Sequence, residues 1–187
     1  MHPSAVQPAP HSSSPSLPLT LKRLLPAADG PAQGEGEGGA SLQRDRQFTG
    51  MLQAFRETGG VMRGDEAAAL MQVRGTGSLS LLARWIVARE VLSFEWQGEL
   101  WVPLFQFNLA DMSLRPEVAR ISGEWSSAFD GWTLACWFAT PHEHLGQRLP
   151  ADVLAEDAGA VLQAARADRL GVIDEVSLDR LAEPLPG

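Results

Sequence analysis

Residues 125–154, WSSAFDGWTLACWFATPHEHLGQRLPADVL, decide how this chain folds. Three of its six tryptophans fall in that stretch, together with its clearest punctuation. Trp132, Ala135, Cys136 and Ala139 share one face of a helix, because side chains three and four positions apart are neighbours on a helical surface. Trp137 and Phe138 carry the apolar character around the cylinder, so the spacing predicts a short helix buried on most sides. Burying each large aromatic contributes roughly 1.5 to 3 kcal/mol. Pro141 stops that helix, Gly146 permits a turn with positive φ, and Pro150 suits the first position of a further helix carrying Val153 and Leu154. The order is helix, fixed loop, helix.

Upstream, Pro116 opens a helix on which Val118, Ile121 and Trp125 keep helical spacing, with Phe129 at its end. Before it, Leu92, Phe94 and Trp96 alternate with polar residues, Gln97-Gly98-Glu99 offers a turn, and Leu100-Trp101-Val102 returns as a second strand, with Pro103 predicting an edge position. Asp65 and Glu66 open a helix, a glycine-marked turn follows at Gly75 to Gly77, and Ser78 can cap a second helix with Leu79, Leu82, Ile86 and Val87 on its apolar side. Two short helices across a tight turn, followed by a hairpin, outline a winged helix-turn-helix. Phe48, Met51, Leu52 and Phe55 form an amphipathic stripe ended by Gly59-Gly60, which predicts a docking or dimer-forming helix. Downstream, Asp157 caps a helix bearing Val161, Leu162, Ala165 and Leu170.

Four segments result. Residues 1–41, rich in Pro, Ser and Gly, cannot bury enough apolar surface to offset their ordering entropy and read as a disordered tail. Residues 42–110 form the helix-turn-helix-like module with its β-hairpin, 111–170 a helical domain, and 171–187 an acidic tail. The fold class is therefore mainly α with one small β-hairpin.

Net charge is -8. Four arginines stand against eleven acidic residues from Glu124 to Gly187, so the excess sits in the C-terminal third, where it repels nucleic acid and attracts a basic protein. A single cysteine excludes an intramolecular disulfide and fits the reducing cytoplasm, and no apolar run is long enough to span a membrane. His142 and His144 flank Glu143, but the further ligands of a metal site are missing at the usual spacing. Neither a phosphate-binding glycine loop with its lysine nor a nucleophile elbow is present. The expectation is no catalytic residue, no cofactor and no metal. If the second helix of the module entered a DNA groove, Arg74, Ser78, Ser80 and Arg84 would face the bases. Residues 63–120 hold six arginines against seven acidic groups, a thin supply for phosphate neutralisation.

Trp132, four intervening residues, Trp137, then Pro141, Leu145-Gly146, Arg148, Pro150, Asp152 and Leu154 resemble the signature of the Xre/MbcA/ParS toxin-binding domain, the C-terminal half of a group of bacterial antitoxins. The resemblance runs from about Met62 to Leu170. Where the family commonly has Asn after the helix-ending Pro and a Gly-Gly pair in the loop, this chain has His142 and Gly146-Gln147. The resemblance implies an antitoxin that occludes a RES-type, NAD-consuming toxin through Trp132, Trp137, Pro141, His142, Leu145, Gly146, Arg148, Pro150, Asp152 and Leu154. It also implies a homo-oligomer and operator DNA as further partners, with Arg148 and Asp152 pairing locally or reaching the toxin. The alternative is a stand-alone transcriptional regulator without a toxin.

Overall fold

Seven helices and two small antiparallel sheets make up residues 36–125 and 129–182, the part of the chain that this computed structural model describes. Most of the 1–41 and 171–187 segments lies outside those residues or is described only as backbone. Helix α1 (Gly36–Ala54) begins inside the stretch read as a tail. Its stripe is spent within the chain: Phe48, Met51 and Phe55 are buried in the main core, while Leu52 is exposed. A single 3-10 turn and the left-handed pair Gly59 (φ 106°) and Gly60 (φ 83°) then reverse the chain into strand β1 (Val61–Arg63).

Helix α2 (Gly64–Val73) starts with its acidic residues Asp65 and Glu66, and the Glu66 carboxylate accepts the Arg63 backbone N–H at 3.3 Å. Helix α3 (Leu79–Val87) follows Ser78, whose carbonyl, rather than its hydroxyl, accepts the Leu81 and Leu82 amides. Its apolar arc is wider than the core that meets it. Leu82 is buried and Leu81, Trp85 and Ile86 pack beside it, whereas Leu79 (64% exposed) and Val87 (85% exposed) lie beyond the covered sector, against expectation.

The predicted hairpin is β2 (Phe94–Trp96) and β3 (Glu99–Pro103), in register Phe94 with Trp101 and Trp96 with Glu99. Gln97 (φ 51°) and Gly98 (φ 76°) are both left-handed, the conformation that matches the twist of two paired strands. Strand β1 adds on the far side of β3, giving the order β1-β3-β2 and making β3 central rather than an edge. Pro103 is accommodated because it is the last residue of the ladder, opposite Val61. A second ribbon pairs β4 (Phe107–Asn108) with β5 (Ser113–Leu114).

Helix α4 (Pro116–Trp125), α5 (Gly131–Phe138), the short α6 (Pro150–Val153) and α7 (Ala158–Ala182) complete the chain. Asp130 caps α5 by accepting the Thr133 amide at 2.8 Å, and Asp157 does the same for Ala160 at 2.9 Å. One core joins α1, the hairpin, α4, α5 and α7 around Trp125, Trp132, Trp137 and Phe138; a second joins α2, α3 and β3 around Met71, Leu82 and Val102. Gln106, fully buried, ties the two: its amide accepts the Leu92 N–H and donates to the Leu92 and Pro103 carbonyls, each at 2.8 Å.

Helix α5 touches the sheet so closely that a Cβ on Gly131 would lie 1.8 Å from the Ser93 carbonyl oxygen. Gly123, inside α4, has nothing within 4 Å of that position. In urea titrations Gly131→Ala is expected to destabilise the fold by about 1 to 3 kcal/mol through overpacking, whereas Gly123→Ala stabilises it by about 0.4 to 1 kcal/mol.

Candidate functional site

The loop from Ala139 to Leu149 stands on a single carboxylate oxygen. The Trp137 indole, on α5, donates to Asp168 Oδ2 at 2.8 Å, and His142 Nε2 lies 3.0 Å from the same oxygen. His142 Nδ1 accepts the His144 backbone N–H at 3.2 Å, which places the ring proton on Nε2 and makes His142 the second donor. His142 is fully enclosed and its ring meets that of Trp137 at 5.6 Å. Asp168 belongs to α7, so one buried acceptor joins α5, the loop and α7.

Above that node the loop closes on itself. His142 donates its amide to the Arg148 carbonyl at 3.0 Å in an antiparallel bridge, and its own carbonyl accepts the Leu145 and Gln147 amides at 3.0 and 2.9 Å. Gly146 and Gln147 both sit at φ 64°, so the second position holds the left-handed geometry that glycine adopts without strain. Gln147 tolerates it at a cost of roughly 1 to 2 kcal/mol.

The ten residues nominated for partner binding divide cleanly. Trp132, Trp137, His142, Leu145, Pro150 and Leu154 are buried, Asp152 is half-buried, and only Pro141, Gly146 and Arg148 are exposed. Trp132 is covered by α1: its indole donates to Gln47 at 3.0 Å and the Arg44 guanidinium lies 4.5 Å from the ring centroid. Glu143, His144 and Gln147, which were not among the residues nominated for partner binding, share the exposed surface of the loop.

Arg148 pairs with Glu156, not with Asp152, through two parallel hydrogen bonds of 2.8 Å each. Those bonds and the Arg148 charge hold the Glu156 carboxyl below its ordinary value. Burial pushes Asp152 up; Arg148 opposes that shift, while the charges of Glu156 and Glu57 add to it. Asp168 was also missed, although Val161, Ala164, Ala165 and Asp168 follow helical spacing and place a carboxylate on an apolar stripe. Cys136 is a packed thiol: burial, followed by the negative charge of Asp130, pushes it up to about 12.

The four residues nominated for DNA are all exposed. Arg74 reaches across to the Ala110 carbonyl at 3.2 Å, and Thr76 bonds the Asp111 carbonyl, so this turn braces the β4–β5 ribbon. Ser78 and Ser80 flank exposed Leu79, and the adjoining face of α3 borders an apolar groove of about 470 Å³ lined by Leu79, Ala83, Val87 and Leu100. Arg63 sits at its rim, paired with Glu99 at 3.1 Å and Asp65 at 3.4 Å.

Both nitrogens of His142 are engaged, so the His142–His144 pair does not chelate in this arrangement. Among the described residues no group of three or more His, Cys, Asp and Glu could hold a metal, and no helix is long and apolar enough to cross a membrane. No protein family, curated protein or solved structure matches the chain.

Two measurements probe the node and its surroundings. Trp137→Phe keeps a buried ring and removes one hydrogen bond to a carboxylate, so urea unfolding should report a loss of about 1.5 to 3 kcal/mol, against about 3 to 5 for Trp137→Ala. A Trp137→Phe protein as stable as wild type would remove the bond from the fold's energetics. For Asp152 the folded carboxyl lies above its unfolded value, so its contribution favours the fold at low pH and is lost as pH rises from 3.8 through the folded value. Asp152→Asn should therefore raise the melting temperature at pH 7 and leave it nearly unchanged at pH 3, read by calorimetry across that range.

Proposed function

We propose that this protein is the antitoxin of a type II toxin–antitoxin pair and silences a RES-type, NAD-consuming toxin by covering its active-site entrance. The observation that carries this reading is the division of labour in residues 132–154: the buried members hold the loop from beneath, and the exposed members face outward with no role in the core. A loop already fixed in shape loses little conformational entropy on docking, so binding energy is not spent on ordering it. The contact face consists of Pro141, Glu143, His144, Gly146, Gln147 and Arg148. Trp132, Trp137, His142, Leu145, Pro150 and Leu154 act on the toxin only through the shape they impose. The acidic excess of the C-terminal third favours a toxin with a basic rim around its entrance.

A protein partner also suits the other exposed features better than DNA does. The α3 surface that would enter a groove carries Leu79 and Val87 beside its serines, and phosphate neutralisation draws on few unengaged cations there.

The test is co-expression with each small open reading frame adjacent to the gene, scoring growth, cellular NAD and co-purification together. The expected result is rescue of one toxic neighbour with a stable complex. Arg148→Ala and His144→Ala should each weaken that complex about tenfold or more without moving the melting temperature. If no neighbour is toxic and no complex forms, the antitoxin reading fails, and a stand-alone regulator, assayed by salt-dependent operator binding, replaces it.

A further inference from the structure

The groove beside α3 offers hydrocarbon walls and a charged rim. Leu79, Ala83, Val87 and Leu100 supply much of the wall, and the charged residues that line it are Arg63, Asp65 and Glu99. Every other lining residue is aliphatic or glycine. Its volume of about 470 Å³ takes roughly three or four leucine side chains at the packing of a liquid. Leu79 and Val87 stand 64% and 85% exposed there, and a bare apolar patch with a polar rim marks an interaction site. Arg63 lies 3.1 Å from Glu99 and 3.4 Å from Asp65, so one cation answers two carboxylates and the rim keeps a negative charge. The partner that fits is apolar and carries a net positive charge. A phosphate backbone has the wrong sign, and a second copy of the chain brings a rim of the same sign.

The chain contains such a segment outside the described residues. Residues 17–25, LPLTLKRLL, include Leu17, Leu19, Leu21, Leu24 and Leu25, and their only charges are Lys22 and Arg23. Elsewhere in residues 1–35 the large aliphatic side chains are Met1 and Val6 alone.

The tether reaches. The first turns of α1 pass over the hairpin, where Asp45 accepts the Trp96 indole N–H at 3.2 Å. Trp96 pairs across the ladder with Glu99, and Glu99 and Leu100 form the groove's edge. From Asp45 back to Gly36 the helix covers about 14 Å, and crossing from one face of the sheet to the other adds about 10 Å. Residues 26–35, which join Leu25 to the helix, span up to about 33 Å when extended.

We propose that residues 17–25 dock in the groove between α3 and the α2–β3 edge, laying leucines against Leu79, Val87 and Leu100 and bringing Lys22 and Arg23 to the Asp65 and Glu99 rim. An apolar segment seated in a groove is a recurrent mode of peptide recognition. Held on a short linker, the segment meets its groove at an effective concentration on the order of millimolar, so a weak intrinsic affinity suffices. The inference is independent of the toxin reading, since none of its residues lies within 132–154.

A nitroxide attached through Thr20→Cys in the full chain tests it by NMR. Cys136 is buried, so the label goes to the new thiol. With nitroxide and nitrogen-15 in the same chain, the amide signals of Leu79, Ala83 and Val87 should lose most of their intensity while that of Ala164, on α7, keeps its own. Leu21→Asp with Leu24→Asp should restore them, and so should Ala83→Arg, which fills the groove from an exposed position and repels Lys22 and Arg23. The leucine variant leaves the groove untouched, so its result stands even if Ala83→Arg perturbs α3. The proposal is overturned if no selective loss occurs within one chain, or if the loss survives the leucine substitutions. It is equally overturned if the loss is as strong when nitroxide and nitrogen-15 are placed on different chains and mixed, which assigns the groove to a second copy.

Discussion

The arrangement of the C-terminal half depends on one oxygen atom. Asp168 Oδ2 accepts from the Trp137 indole and the His142 imidazole, so α5, the loop and α7 meet at one acceptor. Burying a carboxylate is costly unless it accepts hydrogen bonds, and two ring N–H donors supply them to Oδ2 here. The cost of burial becomes a constraint on geometry: neither ring can rotate without leaving the carboxylate short of a donor. Every exposed residue of the loop inherits its position from that constraint. On the surface nearby, the Glu124 carboxylate receives Arg166 at 2.9 Å and Arg169 at 2.7 Å, fastening α7 to α4 alongside the buried node.

The α5–loop–α6 stretch was legible because each of its devices is local. Tryptophans at helical spacing, a proline where the helix must stop, a glycine at the left-handed turn and a proline at N1 all act within a few residues of themselves. The hairpin was legible for the same reason, through Gln97-Gly98 and the alternation around it. Strand β1 was not: three residues, Val61 to Arg63, carry no pattern of their own and become a strand only by meeting residues some forty positions later.

The candidate site was legible in place but not in roles. Of the two expectations for Arg148, a local pair with Asp152 or a reach to the toxin, the first is corrected: the guanidinium holds Glu156, which offers both oxygens in an exposed setting where Asp152 is partly desolvated. Leu79 and Val87 looked like core because they continue an apolar arc, yet a nine-residue helix covered on one side buries only part of so wide an arc. Asp168 escaped notice because a carboxylate in a charged helix is ordinarily solvated, and only its position on the buried stripe distinguishes it. In each case the deciding fact is which groups meet in three dimensions and which stay uncovered, and spacing alone does not encode that.

The shared acceptor also orders events in time. Asp168 lies 31 residues after Trp137 and 26 after His142, so the loop is synthesised before the group that fixes it. At translation rates of about 5 to 20 residues per second, the ribosome needs on the order of one to six seconds to cover that interval. During that interval α5 has its tryptophan but not its acceptor, and the loop has its sequence but not its shape. A nascent chain therefore passes through a stage in which the loop residues are present and the acceptor that fixes them is not, and the buried node is completed by a single late residue.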